Sequence, residues 1–121
     1  MEPIKLYLIL NADIKFTPGQ IASQVTHLTH LLTDEIVRAA YELYPIPEYY
    51  LNYAIWNKNP IVIIKRASEN ELNALRSLPF ARSFYDEIYD KQFKRKNKCL
   101  TVVGFFPGSV SDDMMIDFKL L

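Results

Sequence analysis

The apolar positions of the chain fall into three continuous runs separated by stretches with helical spacing. The first run, IKLYLIL over Ile4–Leu10, is too short for a stable helix and lies between Pro3 and the polar Asn11-Ala12-Asp13. It predicts a strand buried on both faces, as in an α/β sheet. The second run, IVIIK over Ile61–Lys65, is rich in β-branched residues and follows Pro60, which predicts another strand. The third, CLTVVGFF, places a strand over Leu100–Phe105. Between the first two runs, Thr17-Pro18-Gly19-Gln20 carries a capping residue, a proline suited to the first helical position, and a glutamine at capping-box spacing. Ile21, Val25, Leu28 and Leu32 follow as one helical stripe, the predicted buried face. Gln20, Gln24, His27 and Leu31 form a neighbouring stripe that is polar at its N-terminal end. The helix either continues through Thr33-Asp34 or restarts there, and Pro45 stops it.

Residues 45–60 read as a loop with a turn of helix around Leu51–Trp56. Ser68 and Glu71 make a second capping box, with Leu72, Leu75 and Leu78 as the buried side and Pro79 as the stop. Phe80–Tyr89 is ambiguous: a helical turn leading into a short strand. After Pro107-Gly108, Ser109 or Ser111 caps a short helix, and DFKLL closes the chain as a strand. Strands alternating with helices predict an α/β fold: a three-layer sandwich with a four-stranded, mostly parallel or mixed sheet between helices, in one domain over residues 1–121.

Composition narrows the functional classes. With 121 residues, 50% hydrophobic and 23% charged, the chain fits one globular domain. Fourteen basic side chains balance fourteen acidic ones, so the surface is not uniformly cationic. The charge is nevertheless uneven. Residues 91–98, KQFKRKNK, hold Lys91, Lys94, Arg95, Lys96 and Lys98 and no acid. A polyanion relieves the self-repulsion of such a cluster, and Lys/Arg contacts to phosphate dominate nucleic-acid affinity; a solvated surface loop is the plain alternative. The single cysteine, Cys99, excludes an intrachain disulfide and a thiolate-rich metal site. No apolar run reaches the ~18 residues of a membrane span, and the N-terminal stretch lacks the basic start and long apolar core of a secretory signal. The expectation is an intracellular domain. Glycine-rich phosphate loops and a GxSxG elbow are missing from the sequence. His27 and His30 lie three apart but have no third ligand in their motif, so no metal is expected. Gln20, Gln24 and His27 share a helix face, which either meets solvent or lines a site.

Taken together, these segments resemble the archaeal/eukaryotic type 2 family of peptidyl-tRNA hydrolases. That family reads approximately D-L-K-M-x-x-G-K-x-A-x-Q-x-S-H-A after its first strand. Here the stretch is DIKFTPGQIASQVTHLT, matching at Asp13, Lys15, Gly19, Ala22, Gln24 and His27, with Thr26 for the serine. Trp56, IVIIK ending at Lys65, TVVGFFP over 101–107 and the final FKLL resemble further family segments in the same order. The resemblance implies a four-stranded mixed sheet between helices. It also implies hydrolysis of the ester joining a peptide to the 3′ end of tRNA, with no metal or cofactor, in the cytoplasm. It places the site at the start of the first helix and in the loop before the third strong strand. His27, Asp90 and Gln20 are the catalytic candidates. Asp13, Lys15, Gln24, Lys91, Lys94, Arg95, Lys96 and Lys98 are the candidates for binding the substrate. Two positions depart from the family: Gln20 stands where it has a lysine, and Lys94 where it has a threonine linked to catalysis. The family's D-A-G-R-T-Q loop is matched only at Asp90. The alternative is a non-catalytic module that binds tRNA or a protein on the same surface, and a homodimer is a further open alternative.

Overall fold

The computed structural model describes residues 3–90 and 95–121, apart from the side chains of Tyr89, Asp90 and Arg95. In chain order the elements are β1 (Lys5–Asn11), α1 (Pro18–Glu42), α2 (Glu48–Lys58), β2 (Ile61–Ala67), α3 (Glu69–Leu75), β3 (Ala81–Asp90), β4 (Arg95–Phe105), α4 (Asp112–Met115) and β5 (Lys119–Leu120). They form one sheet in the order β3-β4-β1-β2-β5. β1 and β2 are parallel, and the other three pairings are antiparallel. The three strands expected from the apolar runs are therefore neighbours at the centre. The sheet has five strands rather than four: the ambiguous stretch after Phe80 adds a full strand at the β4 edge, and the expected closing strand pairs with β2 at Lys65 and Arg66.

Alternation along the central strand divides the core in two. Leu6, Leu8 and Leu10 of β1 join Leu28, Leu32 and Ile36 of α1 and Trp56 of α2 on one face. Tyr7 and Ile9 join Leu72 of α3 and Met115 of α4 on the other. Successive strand side chains point to opposite faces, so a strand apolar at nearly every position must lie between two helical layers. No helix among the described residues is long and apolar enough to cross a membrane.

The structure decides one alternative left open by the sequence, the continuity of α1, and corrects the reading at four places. α1 is one continuous helix of 25 residues through Thr33-Asp34, capped by the Thr17–Gln20 box. Its buried stripe is Gln24, Leu28, Leu32 and Ile36, while Ile21 and Val25 are half-buried against the same core. α2 is a full helix of 11 residues. Tyrosine and asparagine are weak helix formers, and tertiary packing overrides them: Tyr50 lies against Tyr53, Tyr53 against Trp56, and the Trp56 indole donates to the Ile61 carbonyl at 2.9 Å. The ambiguous stretch after Phe80 is a ten-residue strand, β3, paired with β4 from Ala81–Phe105 to Asp90–Arg95. β4 itself begins at Arg95, five residues before the expected start of that strand, so half of the basic run is strand.

Candidate functional site

The side chains that matter sit where α1 crosses β3 and β4. Pairing between β3 and β4 shifts by one between Phe84 and Tyr85: Phe84 faces Val102, Tyr85 faces Leu100, and Thr101 is the extra residue. Such a bulge turns one additional side chain toward a face that alternation would deny it. Val102 packs in the α1 layer and Leu100 in the opposite layer, and Thr101 also meets α1. Its hydroxyl lies 2.5 Å from Gln24 Oε1 and 3.0 Å from the Phe84 carbonyl, sharing its proton between them. Gln24 Nε2 donates in turn to Asp86 Oδ2 at 2.8 Å.

This chain of contacts is largely sealed from water. Gln24 is 2% exposed and Thr101 is fully buried. A buried amide left without partners costs a large part of its hydration, so both ends of Gln24 are held by the bonds they make. The carboxylate accepts only, which fixes the amide nitrogen toward Asp86 and the amide oxygen toward the threonine. Asp86 Oδ1 accepts from the Glu87 backbone N–H at 2.8 Å, so both carboxylate oxygens are oriented while the group stays half-exposed. One turn along α1, the exposed His27 ring stacks on Phe84 with centroids 5.1 Å apart. The His27 ring and the oriented Asp86 carboxylate thus lie on the α1 side of β3, beside Phe84 and Gln24. Such a pair can orient water and move protons to or from a reacting ester.

Further along, Arg82 Nε and Nη2 donate to the two oxygens of Glu35 at 2.7 and 2.6 Å. The hydrogen bonds to Glu35 hold the guanidinium above its ordinary pKa, with burial opposing them. The Arg82 guanidinium also lies 4.9 Å from the Phe106 ring centroid. α1 and β3 therefore run in opposite directions, with Glu35, His27 and Gln24 meeting Arg82, Phe84 and Asp86 in turn.

The other sequence-predicted residues are placed as follows. Gln20 is exposed, and its side-chain oxygen accepts from the Thr17 N–H at 2.9 Å, which closes the capping box. Asp13 Oδ2 accepts from the Glu69 N–H at 3.0 Å, so this carboxylate ties the loop after β1 to the start of α3, in the other layer. The same loop is held by Asn11, which donates to the Leu100 carbonyl and accepts from the Asp13 N–H. Lys15 is exposed on that loop. Lys96 and Lys98 are exposed at the start of β4, opposite Tyr89 and Glu87. Asp90 ends β3 in register with Arg95. Lys91 and Lys94 lie outside the described residues, as do the side chains of Asp90 and Arg95.

Sequence reasoning missed Asp86, Phe84 and Thr101. Phe84 and Asp86 were hidden because 80–89 reads as ambiguous, a helical turn leading into a short strand. Read with period two, Arg82, Phe84 and Asp86 share a face. Thr101 carried no comparable signal, since its orientation depends on the bulge.

A family model described as peptidyl-tRNA hydrolase PTH2 matches residues 4–121. No curated protein matches the chain significantly. With nearly every residue inside the match, the chain belongs to the PTH2 family.

Proposed function

We propose that this member of the peptidyl-tRNA hydrolase PTH2 family hydrolyses the ester joining a peptide, or an N-blocked amino acid, to the 3′ end of tRNA. The observation that carries the reading is the buried Thr101–Gln24 pair holding Asp86 beside the His27–Phe84 stack. A domain kept only for folding gains little from sealing a glutamine in its core to orient a surface carboxylate. In this reading Asp86 orients and deprotonates a water whose oxygen attacks the ester carbonyl carbon. The tetrahedral intermediate collapses with cleavage of the carbon–ribose oxygen bond, and His27 supplies the proton to the departing hydroxyl. The products are a peptide carboxylate and a free tRNA 3′ end. Gln20, on the first turn of α1, faces the developing oxyanion with a neutral amide in place of the family's lysine. Of the two candidate carboxylates, Asp86 is assigned the water because both its oxygens are oriented; Asp90, four residues on, is kept as the second. The basic run through Lys96 and Lys98 takes the tRNA phosphates, joined by Lys15 and by Lys91, Lys94 and Arg95. The reaction needs no metal or cofactor and belongs in the cytoplasm with its substrate.

The test is release of the blocked amino acid from N-acetylaminoacyl-tRNA, compared with unblocked aminoacyl-tRNA. Asp86→Asn should lower kcat by about 100-fold or more, and Asp90→Asn by less. Gln20→Lys should raise turnover by about 10-fold through one regained charge at the oxyanion. It should also lower stability by about 0.5–1 kcal/mol, because lysine cannot accept the Thr17 N–H. A second reading, a non-catalytic module binding tRNA or a protein, is favoured by the engagement of Gln20 in the cap. No hydrolysis by either the wild type or Gln20→Lys, with tRNA still bound, would establish it.

A further inference from the structure

Phe80 occupies a backbone position that its side chain disfavours. The Ala81 N–H donates to the Leu78 carbonyl at 3.2 Å, which closes a β-turn with Pro79 and Phe80 in the middle. Phe80 has a φ of 62° there. Proline followed by a left-handed residue is the pattern of a type II turn, and the left-handed position ordinarily belongs to glycine or asparagine. A bulky aromatic at positive φ is strained, and such strain persists where the surroundings require that side chain. The Phe80 ring is 44% exposed, so core packing alone does not require it. It stacks on Phe106 with centroids 5.7 Å apart and lies at 49° to Tyr49, also at 5.7 Å.

Tyr49 and Phe80 wall a cavity of about 370 Å³ between the start of α2 and the turn after β4. It lies apart from the proposed ester chemistry. Phe80 precedes Asp86 by six residues of nearly extended chain, roughly 20 Å at ~3.3 Å each. Glu48 and Asn52 stand one turn apart on α2, and both line the cavity. Gly108, with a φ of 80°, lets the turn approach α2 closely: a Cβ there would lie 3.3 Å from the side-chain amide carbon and nitrogen of Asn52. Among the described residues, Glu48 has no ion pair and the Asn52 amide no hydrogen-bond partner. The lining thus offers two aromatic rings, one uncompensated carboxylate and one free amide. Apolar walls with a few convergent polar groups are the composition of a ligand site.

That lining selects a cation, and a planar one. A phosphate or carboxylate entering here faces Glu48 with no cation in the lining to offset it. A guanidinium stacks on an aromatic face, gives two parallel N–H groups to a carboxylate, and has further N–H groups for the Asn52 side-chain oxygen. The aromatic cluster already holds one such group: the Arg82 guanidinium lies 4.9 Å from the Phe106 centroid, its charge met by Glu35. The segment leading to the cavity indicates what carries the second. Tyr44 is 98% exposed and Ile46 half-exposed just before Pro47, which lines the cavity. Apolar surface beside the cavity suits a polypeptide that continues past its arginine, whereas a free small molecule leaves it bare. We propose that the cavity receives an arginine side chain of a partner protein, held by Phe80, Tyr49, Glu48 and Asn52, with neighbouring apolar residues of that partner on Tyr44 and Ile46. The site stands whether or not the ester is hydrolysed.

In the test, the full chain is titrated with the acetylated, amidated pentapeptide Ala-Leu-Arg-Leu-Ala, and its amide resonances are followed. Shifts should centre on Glu48, Tyr49, Asn52 and Gly108. Citrulline in place of the arginine keeps the shape and removes the charge, and should weaken binding by about tenfold or more; lysine keeps the charge without the plane and should weaken it by about threefold. Acetylarginine amide, which leaves Tyr44 and Ile46 bare, should bind about tenfold more weakly than the pentapeptide. Glu48→Gln, at an exposed position, should weaken the pentapeptide by about tenfold. Phe80→Gly separates the ring from the fold. Glycine relieves the strained φ, so the urea midpoint should hold or rise while pentapeptide binding falls by about tenfold or more. No shifts at ~2 mM pentapeptide, shifts centred elsewhere, equal binding of the citrulline peptide, or a Phe80→Gly chain with a lower midpoint and intact binding would overturn the proposal. Equal affinity for acetylarginine amide and the pentapeptide would overturn the partner protein as the source of the guanidinium.

Discussion

Gln24 shows how much one buried side chain can hold. It lies in the stripe that packs α1 on the sheet, among Leu28, Leu32 and Ile36, yet it is polar at both ends. Thr101 satisfies its oxygen and Asp86 its nitrogen. Two substitutions separate packing from orientation. Gln24→Leu keeps the volume, leaves Thr101 bonded to the Phe84 carbonyl, and leaves half-exposed Asp86 to water. Stability measured by urea unfolding should change by no more than about 1 kcal/mol. kcat should fall by about tenfold or more, because Asp86 loses the donor that orients it. Gln24→Glu places a buried carboxylate against Asp86 and should cost about 3 kcal/mol near neutral pH. That loss should shrink on acidification, when one of the two carboxyls takes a proton.

The close approach of α1 to the sheet depends on β4. Gly104 faces the helix, and a Cβ there would lie 2.7 Å from side-chain carbons of Leu28 and Leu8 and 3.0 Å from one of Leu32. All three leucines are fully buried, so they have little room to give. Gly104→Ala should therefore destabilise the fold by about 1–3 kcal/mol through overpacking, read as a lower urea midpoint. Because Gln24 lies one turn from Leu28, the same substitution should displace the Gln24–Asp86 bond and lower kcat as well. β3 is an edge strand whose α1 face carries Arg82, Phe84 and Asp86 rather than an apolar row. That mixture serves the site and the ion pair with Glu35, and it is also why the strand escaped a hydrophobicity reading.

Across the molecule, charge is arranged at separate ends. At the end away from the site, Asp112 at the start of α4 accepts from Lys5 Nζ at 2.7 Å and from the Tyr7 hydroxyl, joining the last helix to the first strand. The bond from Lys5, then that from Tyr7, holds Asp112 below the ordinary carboxylate value of 3.8. A native pKa below the unfolded one stabilises fully above the unfolded value, and the contribution is lost as pH falls through the native value. Asp112→Asn should thus lower the urea midpoint near pH 7. The difference from wild type should vanish in acid, below the native pKa of Asp112; a difference independent of pH would count against the linkage. At the basic end, tRNA affinity should fall steeply with salt. Replacing Arg95, Lys96 and Lys98 by alanine should flatten the log–log slope by about two units if each cation neutralises a phosphate.

Local signals in the chain were enough for the layered fold. Capping boxes at Thr17–Gln20 and Ser68–Glu71, and three apolar runs that need two covered faces, depend on near neighbours and on burial alone. Gln24 and His27 were legible as a polar patch on a helix, since residues three and four apart share a face wherever the helix lies. Their partners were not. Asp86 is 62 residues from Gln24 and Thr101 is 77. Thr101 reaches the amide only because a one-residue bulge turns it and Val102 to the same face. Strand alternation read from the sequence assigns those two neighbours to opposite sides, and a register slip inside a pair of strands leaves no local trace. The capping role of Gln20 followed from spacing; the orientation of the Asp86 carboxylate depended on its meeting Gln24 when the sheet and helix pack.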